Sequence, residues 1–308
     1  MKKTRIALSL GDPAGISYEI SVKAVNSLKN QGICGLNFFG DKAVFAKYKR
    51  FIKHSNYEFV PTSDIGKDLK VGKPSKTAGI IAAKAIIAAA KFCLSGKADA
   101  LVTAPVSKES LKLAGIKYPG HTEFLANITK SKEVAMMMVC GKINSVMVTR
   151  HLSISQVAKN LKTQEIIKTI KLAAQQLKLK NNKIRIVLCS LNPHAGDNGI
   201  LGNEEKTIIM PAVKKLNKIG FKTMLMPADS AWLKTLKGEF DLICGMYHDQ
   251  IMIPLKCINA KKIVNVTAGL PFIRTSPGHG TAYDIAGKNK ADYSAMKEAI
   301  VFAAKTCK

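Results

Sequence analysis

Six histidines occur in the 308 residues, and five of them follow apolar runs directly or stand in Gly/Pro loops. They are His121 in PGHTE, His151 in VTRH, His194 in LNPHAG, His248 in MYHDQ and His279 in SPGHG. The sixth, His54, sits in a lysine-rich helical stretch and reads as surface. Open α/β sheets gather their ligands at the carboxyl ends of the strands. His151, His194 and His248 each follow a β-branched or aliphatic run, which puts three imidazoles near one crevice or at a subunit boundary. Three nitrogen donors suit a Zn, Co, Ni or Fe-type divalent ion with one position left for substrate. No short i,i+4 ligand pair accompanies them, so separate loop histidines bonding to backbone remain the alternative.

Other polar residues gather around the same segments. Asp249, beside His248, can orient that imidazole, act as a base, or cap the helix that follows. His121-Thr122-Glu123 opens a helix, with Thr122 as its cap or with the helix end presented to an anion. Lys256, Asn265 and Arg274 follow one another closely, and together they point to a phosphate or carboxylate pocket. Gly11-Asp12-Pro13-Ala14-Gly15 is neither GxGxxG nor GxxxxGK[ST], which excludes those two phosphate loops. No serine elbow and no Cys/His nucleophile pair is present.

The elements that must position these residues alternate between strand-like and helix-like. Strands are expected over 6–10, 36–40, 98–105, 184–192, 222–227, 240–247 and 263–269. Helices are expected over 18–30, 41–54, 76–95, 153–178, 203–219, 230–238 and 291–306. VAMMMVC and INSVMVT, joined by Gly141-Lys142, read as a hairpin that interrupts the pattern. Alternation of this kind gives a mainly parallel α/β sheet with helices on both faces. The length favours two domains, and no long linker separates them.

Net charge is +27, from 48 Lys+Arg against 21 Asp+Glu, with 47% hydrophobic residues. That apolar content excludes a disordered polycation. The lysines are spread along the chain, with the densest stretches at 178–183 and 214–218, and only five arginines occur. No aromatics interleave with them, so the charge reads as a solvated surface that attracts small anions, with no nucleic-acid partner. The seven cysteines include no CxxC pair and read as reduced thiols. No apolar run is read as approaching the ~20 residues of a membrane span, and the expected location is the cytoplasm.

GDPAGI (11–16), TAP with Lys108 (103–108), PGHTE (119–123), His151, LNPHAG (191–196), PAD (227–229), YHDQ (247–250), PLK (254–256) and RTSPGHGTA (274–282) form one ordered pattern. Over almost the full chain it resembles the 4-hydroxythreonine-4-phosphate dehydrogenase family of pyridoxal phosphate biosynthesis. HGTAYDIAGK (279–288) is also similar to the adenosine-binding loop of the isocitrate and isopropylmalate dehydrogenase-like fold. The resemblance implies two α/β/α lobes, 1–118 with 255–308 carrying the cofactor loop, and 119–254 carrying metal ligands and dimer contacts. It implies a homodimer with a shared active site between the lobes. A divalent ion (Zn, Mg, Co or Mn) would be held by His151, His194 and His248, the last reaching over from the other subunit. His121, Thr122, Lys256, Asn265 and Arg274 match substrate-contacting positions, and Asp229 and Asp249 match acidic residues near the site. NAD would meet His279, Gly280, Thr281, Ala282 and Asp284, with Lys256 or Asp249 as base.

The implied reaction is oxidation and decarboxylation of 4-phosphohydroxy-L-threonine to 3-amino-2-oxopropyl phosphate. A sister activity on 4-phospho-threonate or 4-phospho-erythronate uses the same residues. A metal-dependent hydrolase is a further reading of the three histidines. The chain departs from the family pattern at Ser17-Tyr18, where Gly-Pro is usual, at Ile251-Met252, where Gly-Leu is usual, and at Gly278, where Asp commonly stands.

Overall fold

The computed structural model describes residues 4–28, 33–53, 56–118, 120–177 and 184–307. His54, Pro119, the lysine stretch 178–183, the side chain of Cys34 and the ends of the helices expected to reach 30 and 178 lie outside the described residues. The described strands are β1 (Thr4–Ser9), β2 (Ile33–Asp41), β3 (Tyr57–Ser63), β4 (Ala100–Thr103), β5 (Ala135–Cys140), β6 (Ile143–Met147), β7 (Arg185–Cys189), β8 (Lys222–Met226), β9 (Leu242–Gly245), β10 (Ile263–Ala268) and β11 (Ile273–Pro277). Helices alternate with them, the α/β arrangement expected.

The chain divides into two compact units, Met1–Glu133 with Val264–Lys308, and Val134–Ile263. In the first the strand order is β3-β2-β1-β4-β11-β10, parallel except for β10, which runs against β11. In the second the order is β5-β6-β9-β7-β8, with β5 antiparallel to β6 in the expected hairpin. Ile6, Ala7 and Leu8 on β1 and Ile186, Val187 and Leu188 on β7 are fully buried. Strands covered on both faces need such continuous apolar runs.

The boundaries fall at 133/134 and 263/264, where 118/119 and 254/255 were expected. The first shifts because the helix His121–Thr129 packs on the helix Lys76–Leu94 of the first unit, and the second because the helix His248–Asn259 packs on β5, β6 and β9. His121 and Thr122 therefore share a unit with Asn265 and Arg274.

Four elements differ from expectation. The helix expected over 153–178 is two helices, Ile154–Asn160 and Thr163–Gln176. Leu161 breaks it with extended backbone (ψ 127°) and is 3% exposed, so burying this side chain outweighs helix continuity. The segment expected as a helix over 203–219 opens with a π-helical turn, Glu205–Ile209, before the helix Met210–Lys218. Pro211 has no N–H to give the α-ladder at this junction, and the wider turn accommodates that loss. Strands β3 and β11 were not expected at all.

Lys76–Leu94 corrects one further expectation, because it has the length and hydropathy of a membrane span. More than half of it is buried, and it packs on β1, β2, β3 and β4 as a core helix. Ser75 caps its start, accepting from the N–H of Ala78 at 3.1 Å. Gly79 lies in its first turns, and a Cβ there would collide with the backbone carbonyl of Ser110. Gly→Ala inside a helix ordinarily stabilises by about 1 kcal/mol. At this position the sign reverses: Gly79→Ala is expected to destabilise by about 1–3 kcal/mol through overpacking. Urea unfolding checks this, and a stabilised variant would refute the close packing.

Candidate active site

In the second unit β6, β9 and β7 are parallel neighbours, so the loops at their carboxyl ends emerge side by side. Those loops carry His151, His248 and His194. The rings of His151 and His248 lie 6.3 Å apart between centroids. Both line a cleft of about 350 Å³, together with Arg150, Ser153, Tyr247 and Asp249. Arg150 was not singled out from the sequence; its place directly before His151 was the only signal.

The loops are tied together by the side chain of Gln250. Gln250 gives its side-chain N–H to the carbonyl of Ser190 after β7 at 2.7 Å. Its side-chain oxygen accepts from the N–H of Met246 after β9 at 2.8 Å. Thr149, after β6, donates its hydroxyl to the carbonyl of Met246 at 2.7 Å. Glu205, 5% exposed, holds the next part of the His194 loop. One of its oxygens accepts from the N–H groups of Leu191 and Asn192 at 2.8 and 2.7 Å. Beyond this clamp His194, Ala195, Gly196, Asp197 and Asn198 all have positive φ, between 43° and 79°. A left-handed run costs roughly 1–2 kcal/mol for each non-glycine residue, so the loop's shape is imposed by its supports.

Several expected roles change at these loops. Asp249 does not cap the helix His248–Asn259; Tyr247 occupies that position. Asp249 instead bonds the Nδ1 of His248 at 2.6 Å. This carboxylate–imidazole pair orients a ring for a ligand on its other nitrogen. Among the described residues no group of three His, Cys, Asp or Glu side chains converges within the chain to hold a metal. The donors that the chain does bring together are the imidazoles of His151 and His248, a chemistry that fits a divalent transition ion. Asp229 is exposed in the first turn of the helix Ala228–Leu236, and Lys256 is exposed on the helix His248–Asn259.

The first unit holds a second polar cluster. Side chains alternate across a strand, so Asn265 and Thr267 of β10 share a face. Arg274 of β11 stands opposite Thr267, on the same face. Its guanidinium is 1% exposed and bonds the hydroxyls of Thr267 at 2.9 Å and Thr103 at 2.7 Å. Its Nε, the Oδ1 of Asn265 and the Nε2 of His121 are all buried without a hydrogen-bond partner among the described residues. Burial, and next the charge of Arg274, push the His121 pKa down to about 3. Burial likewise lowers Arg274 to about 10, against the opposing pull of Glu123. The guanidinium remains charged at neutral pH, while His121 is neutral and able to donate one ring N–H.

His121 and Thr122 begin the helix His121–Thr129, whose cap is Gly120 and not Thr122. Thr122 is buried at the second helical position. The 279–287 segment is a loop with His279, Gly280 and Asp284 exposed. Thr281 and Ala282 are half-buried, and Ala282 has φ 42°. Lys256 belongs to the other unit from His121, Asn265 and Arg274.

Two α/β units, one carrying strand-end imidazoles and the other a buried arginine cluster and an HGTA loop, are the parts of an isocitrate and isopropylmalate dehydrogenase-like fold. A β-decarboxylating dehydrogenase from Thermococcus kodakarensis shares that fold, with a TM-score of 0.50 at 15% identity over 97% of this chain and 82% of its own. The sequence profile of the pyridoxal phosphate biosynthetic protein PdxA family matches residues 17–303, and the chain belongs to that family. A 4-hydroxythreonine-4-phosphate dehydrogenase of Sulfurihydrogenibium sp. (strain YO3AOP1) is 39% identical over 97% of both chains. The D-threonate 4-phosphate dehydrogenase of Salmonella typhimurium is 36% identical over 98% of this chain and 99% of its own. The crystal structure of 4-hydroxythreonine-4-phosphate dehydrogenase from Klebsiella pneumoniae superposes with a TM-score of 0.88 at 33% identity, covering 99% and 98% of the two chains.

Two measurements test the site. Gln250→Met keeps the side-chain volume but removes both ties, and should lower unfolding free energy by about 1–3 kcal/mol. An unchanged urea midpoint would show that the loops do not depend on it. The ring nitrogens of His121 should show no NMR titration between pH 7 and pH 4, unlike a solvated histidine. Because its folded pKa lies below the unfolded value, this group adds stability above about pH 6.5 that is lost progressively on acidification towards pH 3.

Proposed function

We propose that the protein is an NAD-dependent, divalent-metal-dependent dehydrogenase that oxidises and decarboxylates 4-phosphohydroxy-L-threonine. The observation that carries this reading is the buried cluster of Arg274, Asn265 and His121, each with one polar atom unsatisfied among the described residues. Burying such groups without partners is costly, and the oxygens of a phosphate or carboxylate would complete them. Arg274 supplies the fixed charge. His121, neutral, donates a hydrogen bond without adding a second charge. The Asn265 amide, free to turn, offers either its oxygen or its NH₂ group.

His151 and His248, with His194 on the neighbouring loop, would hold the metal. A divalent ion there supplies Lewis acidity that makes the substrate's hydroxyl easier to deprotonate. Each ion would take part of this imidazole set from a second copy of the chain, as a site shared between two subunits requires. In support, Ile154, Ile200 and Ile253 flank the three histidine loops and are 68%, 79% and 57% exposed. Apolar surface of this kind is characteristic of an interface. Asp249 is engaged with His248 and serves to orient it, which leaves Lys256 as the base that takes the hydroxyl proton. NAD supplies the hydride acceptor when bound. Asp284 is exposed on the HGTA loop, where a carboxylate accepts bonds from ribose hydroxyls and repels a 2′-phosphate, favouring NAD over NADP.

The similarity to a D-threonate 4-phosphate dehydrogenase supports a second reading, in which a hydroxyl replaces the substrate's amine. NADH formation is measured with each phosphorylated substrate in parallel. Turnover of the threonate alone replaces the first reading with the second. His151→Ala is expected to lower kcat/KM by at least ~10²-fold and to weaken metal binding measured by calorimetry. Full activity in that variant would remove the imidazole set from the mechanism.

A further inference from the structure

In the first unit the strand order turns back between β1 and β4, the place where doubly wound sheets open a crevice for a ligand. Here the chain fills that place itself. Gly11 has φ +68°, and a Cβ there would collide with the carbonyl of Pro105. A Cβ on Gly15 would lie 2.7 Å from the carbonyl oxygen of Thr281. The same oxygen accepts from the N–H of Ile16 at 3.0 Å. The glycines of GDPAG therefore do not cradle a phosphate. Gly11 admits the Ala104–Pro105 backbone, and Gly15 admits the 279–287 loop at Thr281.

Two residues along, Tyr283 donates its hydroxyl to Oδ2 of Asp12 at 2.8 Å. Asp12 is fully buried, and its other oxygen accepts from the N–H of Ala14 at 2.8 Å. The hydroxyl of Ser110 stands 3.2 Å from the same phenol oxygen. A hydrogen bond to a buried carboxylate is among the stronger kinds. Between the two anchors, Thr281 and Tyr283, lies Ala282 with φ 42°. An alanine holds that conformation only under constraint, and its neighbours on both sides provide it.

We propose that the Tyr283–Asp12 bond is a latch that holds the 279–287 loop in the shape that receives the adenosine end of a nicotinamide dinucleotide. Tyr283 and Asp12 are then positioning residues for cofactor affinity, remote from the hydride-transfer step. This inference rests on the dinucleotide reading of that loop. A loop that populates its binding shape only part of the time loses apparent affinity in proportion.

Tyr283→Phe removes one hydroxyl and leaves the ring. Dissociation constants for NADH and for adenosine diphosphate ribose, which lacks the nicotinamide, are measured on the wild type and this variant. Both are expected to rise roughly five- to thirtyfold. The KM for NAD should follow, while kcat at saturating cofactor and the KM for the phosphorylated substrate change by less than about twofold. Asp12→Asn keeps a neutral acceptor in place and should fall between the two. Wild-type protein that binds neither dinucleotide overturns the latch together with the cofactor reading. Equal binding by wild type and Tyr283→Phe overturns the latch alone. If neither variant folds, judged by circular dichroism, the bond is a determinant of the fold and the proposal also falls.

Discussion

Burying the Arg274 guanidinium organises the first unit. It lies at 1% exposure between two threonine hydroxyls, with no carboxylate bonded to it among the described residues. Neutral hydroxyls compensate a desolvated cation only in part, and the charge of Glu123 offsets some of the remaining cost. Burial is the main reason that its neighbour His121 is held neutral, and repulsion from the Arg274 charge adds to it. Strand pairing brings Thr267 opposite Arg274 and places Asn265 on the same face. The helix His121–Thr129 packs on the helix Lys76–Leu94 of the same unit, so His121 and the guanidinium share one framework.

The second unit solves a different problem, that of making three loops keep one geometry. Adjacent parallel strands bring their ends near one another, but strand spacing alone does not fix side-chain directions. Gln250 joins the ends of β7 and β9, and Thr149 joins the ends of β6 and β9. Glu205 then holds a turn whose residues adopt a hand that L-amino acids avoid. Rigid supports beneath strained loops are the usual basis of preorganised sites.

Much of this was legible in the residues. Continuous apolar runs announced β1, β4, β7 and β9, and the Gly141-Lys142 turn announced the β5–β6 hairpin. The histidines after those runs did fall beyond strand ends. What the sequence hid has physical reasons. β11 reads IRTSP, too polar for a buried strand, because it carries the pocket's own arginine. β3 is a half-exposed edge strand containing Pro61, and its pattern is weak for that reason. The left-handed turn after Pro193 includes Ala195, a residue that gives no hint of positive φ. Asp249 and Thr122 looked like helix caps, yet Tyr247 and Gly120 take those places, and only the fold reveals what the two side chains face.

The discontinuous first unit has a consequence for synthesis on the ribosome. β4 ends at Thr103, but its neighbour β11 begins at Ile273. At roughly 5–20 residues per second, the whole second unit is translated before that partner emerges. During this interval β4 presents an unpaired edge, and Thr103 waits for the guanidinium that it will bond. The second unit is continuous from Val134 to Ile263 and has no such delay. The nascent chain therefore completes its middle before its beginning, and the Thr103–Arg274–Thr267 cluster is among the last features to form.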